Sequence, residues 1–389
     1  MRCCRCFIPR WHLPVISLSL LRLTDGFLFC PVCAVIIGFN DRIPICCKVT
    51  SVTGSTDAKP IIATQREYRF DRDALLLGAY CLRVDEHFEE TREWFKEAGL
   101  QFPVAVSGNA LNEEDLDWFL ENGMGIIIAP RSDYYLNMRH EAIWGVDLRD
   151  EPSAAEFPAL QEQVQALYAQ DQNHFPLINL FPMYAGTQQL GEECDVPLAR
   201  DHFRIDPFNG NSIRYRMHLS DYIGTIDSDL ISADIYALYI DNETGKLSTY
   251  GHWLRNLDIL AEACRASGRD LWVITQAAGN AKEEGGGMRH CDDPKDQRWQ
   301  NYVSLAFGAK AIIYGCYYTG WWDQSSHMID NSGKRTATYY AVQQVNREDR
   351  DRRQHAHADA RKPRGRICHS GMDAGSGLLR SFRADLFFR

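Results

Sequence analysis

From residue 74 onward, short apolar runs alternate with longer stretches in which apolar and polar residues follow a helical period. Eight of the apolar runs have the length of single strands, and near-continuous hydrophobicity is typical of buried parallel strands. These runs are ALLLGAY (74–80), FPVAVSG (102–108), GIIIAP (125–130), AIWGVDL (142–148), FPLINLFP (175–182), ADIYALYI (233–240), DLWVITQAAG (270–279) and KAIIYGCYY (310–318).

Amphipathic helices are predicted between the strands. The first covers 87–100, and the second covers 112–123, with Asn112 as its predicted cap and Gly123 as its stop. The other predicted helices cover 155–171, 216–226, 250–268, 296–309 and 334–348.

We count eight strands, seven of them followed by a predicted helix, in about 270 residues, which matches the size and order of a (β/α)₈ TIM barrel. A doubly wound open sheet is the alternative. It requires no eightfold count and usually has a Gly-rich turn after its first strand, whereas this chain has GAYCLRVDEH there. We therefore predict an α/β chain with a (β/α)₈ barrel at 61–346.

Both ends of the chain differ in composition from the predicted barrel. Residues 1–60 hold seven of the 13 cysteines, and residues 347–389 are rich in arginine with little periodicity. We expect both to be poorly structured extensions outside the fold. Two C-x-x-C pairs, beginning at Cys3 and Cys30, offer four thiolates to zinc, but the segment between them lacks the Gly-marked knuckles of a zinc ribbon.

The charge of the chain limits its partners. A formal net charge of -10 argues against nucleic acid and favours a neutral or cationic substrate. The N-terminal arginines and LPVISLSLL (13–21) loosely resemble a signal peptide, but no A-x-A-like site follows. Arg22 and Asp25 end the apolar stretch short of the about 20 residues of a membrane span. We predict no transmembrane helix and a soluble chain, cytoplasmic or secreted.

Polar and aromatic side chains gather where the predicted strands end. In a barrel of this kind, the carboxyl ends of the strands and the loops after them form the active site. From the first strand to the eighth, the candidates are Tyr80; Asp147, Asp150 and Glu151; Asn179; Asp234 and Tyr236; Gln276; and Tyr314, Tyr317, Trp321 and Trp322.

These residue types suit a carbohydrate, because carboxylates and amides bind hydroxyls and aromatic faces pack on pyranose rings. Hydrolysis of a glycosidic bond usually needs one carboxylic acid for the leaving oxygen and a second carboxylate as nucleophile or base. Glu151, in VDLRDEPSAAEF (146–157), suits the first role if burial raises its pKa toward neutrality. The competing interpretation is helix capping, because acids and a proline such as Pro152 are common near helix N-termini.

Four segments of the chain carry a resemblance to one enzyme family. They are WGVDLRDEPSAAEFPAL (144–160), INLFP (178–182), SADIYAL (232–238) and RWQNYVSLAFGAKAIIYGCYY (298–318). Together they are similar to the catalytic barrel of bacterial glycoside hydrolases related to family 42 β-galactosidases, and the resemblance spans roughly residues 62–346. The resemblance implies a retaining (β/α)₈ glycosidase.

The resemblance also implies roles for single residues. In that clan the acid/base is the Glu of an Asn-Glu-Pro motif that closes strand four, which is the position of Glu151, and Asp150 stands where the Asn usually contacts the 2-hydroxyl of the sugar. At strand seven the clan's nucleophile is a Glu, whereas this chain has Gln276, which cannot attack as a carboxylate. Asp234 is the preferred second carboxylate, and Glu283 or Glu284 is the alternative.

Two other motifs are weaker. EEGGGMRH (283–290) is Gly-rich but lacks the Lys-Ser/Thr of a phosphate-binding loop, and His290 and Cys291, beside two aspartates, lack a second spaced His. We predict no metal and no cofactor. Trp321 and Trp322 are either core residues or sugar platforms, and we expect at least one to line the cleft.

Three hypotheses result. The first is a hydrolase acting on the O-glycosidic bonds of an oligosaccharide or glycoside, with Glu151 and Asp234 catalytic and the 183–212 connection forming one wall of the cleft. The second is a catalytically inactive glycan-binding barrel, favoured by Gln276. The third is a metal or phosphate enzyme that uses the 279–296 loop. The predicted substrate-binding residues are Tyr80, Asp147, Asp150, Asn179, Tyr236, Gln276, Tyr317 and Trp321.

Overall fold

The computed structural model describes most of the chain from residue 66 to residue 361, together with three short strands nearer the N-terminus. For those three strands and for residues 209–211, 324 and 351–361, only the backbone is described. The described ranges are 66–106, 111–129, 139–186, 188–190, 209–241, 243–250, 252–280, 287–318 and 320–361.

Eight parallel strands form a single sheet, and seven of them come from the predicted apolar runs. The sixth begins at Leu230 and shares only Ala233 and Asp234 with the predicted run 233–240, whose end, Leu238–Ile240, belongs to another sheet. In chain order they are β1 Leu76–Tyr80, β2 Phe102–Val104, β3 Ile126–Ile128, β4 Ile143–Asp150, β5 Phe175–Leu180, β6 Leu230–Asp234, β7 Asp270–Gln276 and β8 Ala309–Gly315.

The sheet closes into a barrel. Its strand order is β2-β1-β8-β7-β6-β5-β4-β3, and Val106, just beyond β2, forms a parallel bridge to Ile128 of β3. Hydrogen bonds therefore continue around all eight strands. The (β/α)₈ fold predicted from the hydrophobic pattern is confirmed.

Seven helices are described, and they alternate with the strands. They are α1 Phe88–Glu97, α2 Glu113–Glu121, α3 Phe157–Gln170, α4 Asn209–Thr225, α5 Trp253–Ser267, α6 Pro294–Ala306 and α7 Ala337–Arg361. Asn112 caps α2 as predicted, because its side chain accepts a hydrogen bond from the backbone N–H of Asp115. None of the described helices combines the length and apolarity that a bilayer crossing requires.

No helix was predicted between β3 and β4, and residues 130–138 there lie outside the described residues. The structure differs from the expected helices at the last one. The last helix was expected to end near residue 348 but continues to Arg361, across the predicted barrel boundary at residue 346.

An aromatic plug closes the amino end of the barrel. The ring of Phe70, which precedes β1, packs against the rings of Trp144, Phe175 and Trp272 at centroid distances of 5.3, 5.4 and 5.7 Å. Arg72 holds the same segment in place through an ion pair with Asp270 at 2.8 Å. With this end filled by rings, the carboxyl end is left to form a site.

Two smaller sheets lie outside the barrel strands. Leu21–Arg22, Phe27–Cys30 and Val35–Gly38 form an antiparallel sheet within a separate unit, Met1–Asp57. The second, which we call the loop sheet, is antiparallel and consists of Leu238–Ile240, Leu247–Thr249 and Gly287–Met288. The loop sheet follows β6 and β7, at the carboxyl end of the barrel.

Candidate active site

A cavity of about 440 Å³ opens at the carboxyl ends of the barrel strands. Seven of the ten predicted catalytic and substrate-binding residues line it: Tyr80, Asp150, Glu151, Asn179, Asp234, Tyr236 and Trp321. The remaining lining residues are Phe181, Pro182, Tyr184, Ala185, Gln189, Ile274 and Trp322. The strand ends thus bring together carboxyl groups from β4 and β6 with aromatic rings from several loops.

Glu151 has an unusual backbone conformation. Its φ is +48°, in the left-handed region that residues other than glycine seldom adopt. The backbone N–H of Glu151 donates to the carbonyl of Asn179 at 2.8 Å, which continues the β4–β5 pairing by one residue. The hydrogen bond to Asn179 and the buried ring of Pro152 hold this backbone conformation. It turns the chain out of the barrel at Glu151.

The turn after Glu151 is fixed by a short capping network. The backbone N–H of Ser153 donates to the Glu156 carboxylate at 2.8 Å, and the Arg149 side chain donates to the same carboxylate at 3.0 Å. A single 3₁₀ turn, Ala154–Glu156, lies between Pro152 and the start of α3. The two glutamates after β4 therefore have different roles. Glu156 accepts the hydrogen bonds of the capping network, and Glu151 lines the cavity.

Glu151 and Asp234 form a carboxyl pair, because both side chains line the same cavity and each affects the protonation of the other. Burial, with the nearby charge of Asp150, raises the pKa of Glu151 to about 7. Burial and the charge of Glu151 raise the pKa of Asp234 as well. The two groups therefore titrate together, above the ordinary range of carboxylic acids.

Asn179, on β5, connects carboxyl groups from the strands on either side of it, β4 and β6. Its Nδ2 donates to Oδ1 of Asp150 at 2.9 Å and to Oδ1 of Asp234 at 3.0 Å. Its Oδ1 accepts a hydrogen bond from the hydroxyl of Ser232 at 3.2 Å, which fixes which way the amide faces. Both amide hydrogens are thus used within the protein. Asn179 orients the acids, and direct sugar binding through its Nδ2 would break one of these bonds.

Aromatic rings form much of the remaining cavity lining. Trp321 lies edge-to-face with Tyr80 at 5.6 Å, and Trp322 lies edge-to-face with Tyr236 at 4.6 Å. The hydroxyl of Tyr80 and Nε1 of Trp321 are buried and have no hydrogen-bond partner among the described residues. Both rings line the cavity, so these two polar groups are available to a bound hydroxyl.

Three predicted substrate-binding residues do not line the cavity. The side-chain amide of Gln276 is hydrogen-bonded to three backbone groups. Its oxygen accepts from the N–H of Leu238, in the loop sheet, at 3.0 Å. Its nitrogen donates to the carbonyls of Leu238 and of Arg289, the residue after the loop-sheet strand Gly287–Met288. Tyr317 lies outside the barrel, where its hydroxyl donates to the carbonyl of Thr91. Both therefore have structural positions.

Asp147 is the third residue that is absent from the lining. It is only 6% exposed, and its Oδ1 has no hydrogen-bond partner among the described residues. Burial and the charge of Asp150 raise its pKa to about 7. Asp147 also contributes to the raised pKa of Tyr80, so the two groups interact.

The sequence analysis did not single out Tyr184, Phe181 or Gln189 as lining residues. They come from the end of β5 and the connection after it, and that connection was predicted to form one wall of the cleft. The described part of the connection, 183–186 and 188–190, contributes to this wall as expected. An aromatic residue in the first turn after a strand, as in FPMYAG (181–186), is the signal that could have identified Tyr184.

The alternative metal and phosphate sites receive no support within the described part of the chain. No group of three or more His, Cys, Asp or Glu side chains there has a geometry suited to a metal ion. His290 lies 4.0 Å from Asp323, and Cys291 is buried beside Arg289. Glu283, Glu284 and the cysteines of the two N-terminal C-x-x-C pairs have no described side chains.

The chain is similar to solved structures with very different sequences. A putative alpha-L-fucosidase from Bacteroides thetaiotaomicron is 8% identical, covers 75% of this chain and 99% of its own, and has a TM-score of 0.43. A GH5_18 protein from Bifidobacterium longum, solved with Manb1-4GlcNAc, is 10% identical, covers 71% and 78%, and has a TM-score of 0.42.

A phospho-2-dehydro-3-deoxyheptonate aldolase from Thermotoga maritima is 11% identical, covers 73% of this chain and 70% of its own, and has a TM-score of 0.36. No protein-family model and no curated protein matches the chain. The similar structures thus include both glycoside hydrolases and an aldolase, so they distinguish no activity. The barrel assignment depends on the strand order of the chain itself.

Proposed function

We propose that this chain is a hydrolase of O-glycosidic bonds, with Glu151 as the general acid/base and Asp234 as the second carboxylate. The observation that carries the proposal is the Glu151–Asp234 carboxyl pair in a cavity lined by Tyr80, Tyr236 and Trp321. An acid that keeps its proton near neutral pH, beside a second carboxyl, is the arrangement that glycoside cleavage needs.

The reaction follows from these two groups. The carboxyl of Glu151 gives its proton to the leaving oxygen while a carboxylate oxygen of Asp234 bonds to the anomeric carbon, and the glycosidic bond breaks. In the second step Glu151 takes a proton from water, the water oxygen bonds to the anomeric carbon, and Asp234 is released. The aromatic rings pack against the sugar, and Asn179 holds Asp234 in position.

The second candidate function is glycan binding without hydrolysis, and Gln276 is the observation that favours it. The end of β7 carries an amide that is bonded to three backbone groups, so it offers the cavity no carboxylate. The two candidates differ in one measurable property. Both bind sugars, but only the hydrolase releases a product.

The test is a screen of the full chain on a panel of aryl glycosides, with Glu151→Gln and Asp234→Asn measured on any substrate found. Loss of a general acid lowers the rate by about 10²- to 10⁴-fold. We expect kcat to fall by that factor in both variants, with binding of the sugar retained. The matched control is Glu162→Gln, which removes an exposed carboxylate from α3.

Full activity of Glu151→Gln would overturn the assignment of the acid. No turnover on the panel, together with sugar binding measured by calorimetry, would favour the second candidate.

A further inference from the structure

A second cavity lies beside the loop sheet, outside the candidate active site. Its volume is about 450 Å³. Its lining includes Tyr239, Ile240, Asp241, Glu243, Tyr250 and Met288. These residues have no part in the proposed cleavage.

A row of aromatic rings connects this cavity with the candidate active site. The rings of Tyr239 and Tyr250 are stacked at 4.5 Å, and Tyr250 is stacked on His252 at 5.3 Å. His252 in turn lies edge-to-face with Tyr184 at 5.2 Å. Tyr184 lines the first cavity and is 46% exposed. Because His252 is only 8% exposed, the rings of the row that a ligand can reach are those of Tyr184, Tyr250 and Tyr239. The centroids of the Tyr184 and Tyr250 rings are 6.4 Å apart, so these exposed rings link the two cavities.

The chemistry of the second cavity fits an uncharged, partly apolar ligand with many hydroxyl groups. Aromatic rings suit the apolar faces of sugar rings, and carboxylates such as that of Glu243 accept hydrogen bonds from hydroxyls. The carboxylate of Asp241 accepts hydrogen bonds from the Thr244 backbone and hydroxyl, so it stays in place as a fixed negative charge. Two carboxylates, with no Lys or Arg among the described lining residues, disfavour an anionic sugar.

We propose that the second cavity and the aromatic row bind further units of a neutral oligosaccharide whose reacting bond lies in the first cavity. This inference rests on the proposed function and narrows the substrate class to chains longer than a disaccharide. We name an oligosaccharide as the ligand because the two cavities are continuous along the aromatic row. A sugar chain that enters between Glu151 and Asp234 passes Tyr184 before it reaches Tyr239.

The test measures binding in the Glu151→Gln background, so that it does not depend on turnover. The probes are neutral hexasaccharides and disaccharides of glucose, galactose, mannose and xylose, with hexagalacturonate as the anionic probe. We expect at least one hexasaccharide to bind about tenfold more tightly than its disaccharide. Adding Tyr239→Ala should reduce that ratio by about three- to tenfold, which is the usual effect of one aromatic contact.

Two control variants distinguish loss of the Tyr239 ring contact from a general effect on folding. Tyr239→Phe keeps the ring and should keep the ratio, and Tyr340→Ala removes an equally large ring that is 50% exposed on α7 and should also keep it.

The inference is overturned if no hexasaccharide binds more tightly than its disaccharide, if Tyr239→Ala leaves the ratio unchanged, or if hexagalacturonate binds best. Failure of the proposed function would appear separately, as absent turnover in the wild-type chain.

Discussion

Glu151 and Asp147 are acids of one strand end, and burial raises the pKa of each to about 7. The consequence of the raised pKa differs between the two groups because their surroundings differ. Glu151 lines the cavity, so its proton can reach a substrate, whereas Asp147 is enclosed in the barrel and is absent from the lining. The same shift therefore supports chemistry at Glu151 and a pH-dependent loss of stability at Asp147.

The carboxyl pair sets both pH limits of activity. Because Glu151 must carry its proton while Asp234 must be ionised, we expect a bell-shaped profile of kcat/KM, whose alkaline limb marks the loss of the last proton of the pair. Asp150→Asn removes a negative charge that raises the pKa of both groups, so the alkaline limb should move to lower pH. The measurement is a pH–rate profile on the best substrate of the screen.

Glu162→Gln, on α3, serves as the control for that profile and should leave the limb in place. An alkaline limb that stays where it is in Asp150→Asn would show that the carboxyl pair does not control the rate.

Asp147 makes the fold less stable as pH rises. Its folded-state pKa of about 7 lies above the ordinary value of 3.8, so the folded chain holds a proton that the unfolded chain has released. This contribution to stability is fully present below about pH 4 and is lost as pH rises to 7. Asp147→Asn, which is neutral at every pH, should raise Tm by several degrees at pH 8 and change it little at pH 4.

Thermal unfolding at the two pH values measures this difference. Asp292→Asn, at an exposed aspartate, should change Tm by less than a degree at either pH. Equal effects of Asp147→Asn at pH 4 and pH 8 would contradict the assignment.

At the scale of elements, the site depends on how strands β4, β5 and β6 share side-chain bonds. Asn179 of β5 donates to Asp150 of β4 and Asp234 of β6, and Ser232 of β6 fixes the amide. Neighbouring parallel strands place these residues at one level, as the pairing of Asn179 with both Asp150 and Ser232 shows. The barrel register thus decides which acids meet.

Loss of Asn179 should change the pH profile as well as the rate. Its hydrogen bond lowers the pKa of Asp234, so Asn179→Ala should let the carboxyl pair keep its proton to higher pH. We expect the alkaline limb of activity to move upward while kcat falls. Ser232→Ala, which removes only the bond that orients the amide, should shift the limb in the same direction by less.

A lower kcat with an unmoved pH profile in Asn179→Ala would indicate a purely structural role. Pre-steady-state and steady-state rates across pH 5–9 separate these outcomes.

Most strands could be predicted from sequence because they are runs of buried apolar residues, and burial is visible in the residue types themselves. The sixth strand was predicted too late in the chain because the apolar pattern continues beyond it to Ile240. The meeting of Glu151 and Asp234 at one cavity could be predicted because strand ends share one edge of the barrel. Gln276 could not, because its three hydrogen bonds reach backbone groups of the loop sheet and Arg289. Tyr317 was misplaced because only the packed structure shows that it contacts Phe95 of α1.

At the scale of the whole molecule, the plug before β1 completes the barrel. Phe70 contacts rings from β4, β5 and β7, so it contributes to the core of strands that are far away in sequence. Phe70→Ala should lower the free energy of unfolding by about 3 kcal/mol, because the cavity left behind cannot be filled by neighbouring strands.

Denaturant unfolding measures that loss. Leu254→Ala, at a leucine of α5 that is 51% exposed, is the matched surface control and should cost well under 1 kcal/mol. Equal effects of the two substitutions would show that the plug is dispensable.

The plug also has a consequence for the order in which the chain folds. Arg72 bonds to Asp270, 198 residues later, and Phe70 packs on Trp272 of the same strand. Contacts of such long sequence separation are slow to form. During synthesis, the segment around Phe70 leaves the ribosome before its partners exist, and it can take its final place only after β7 has been made.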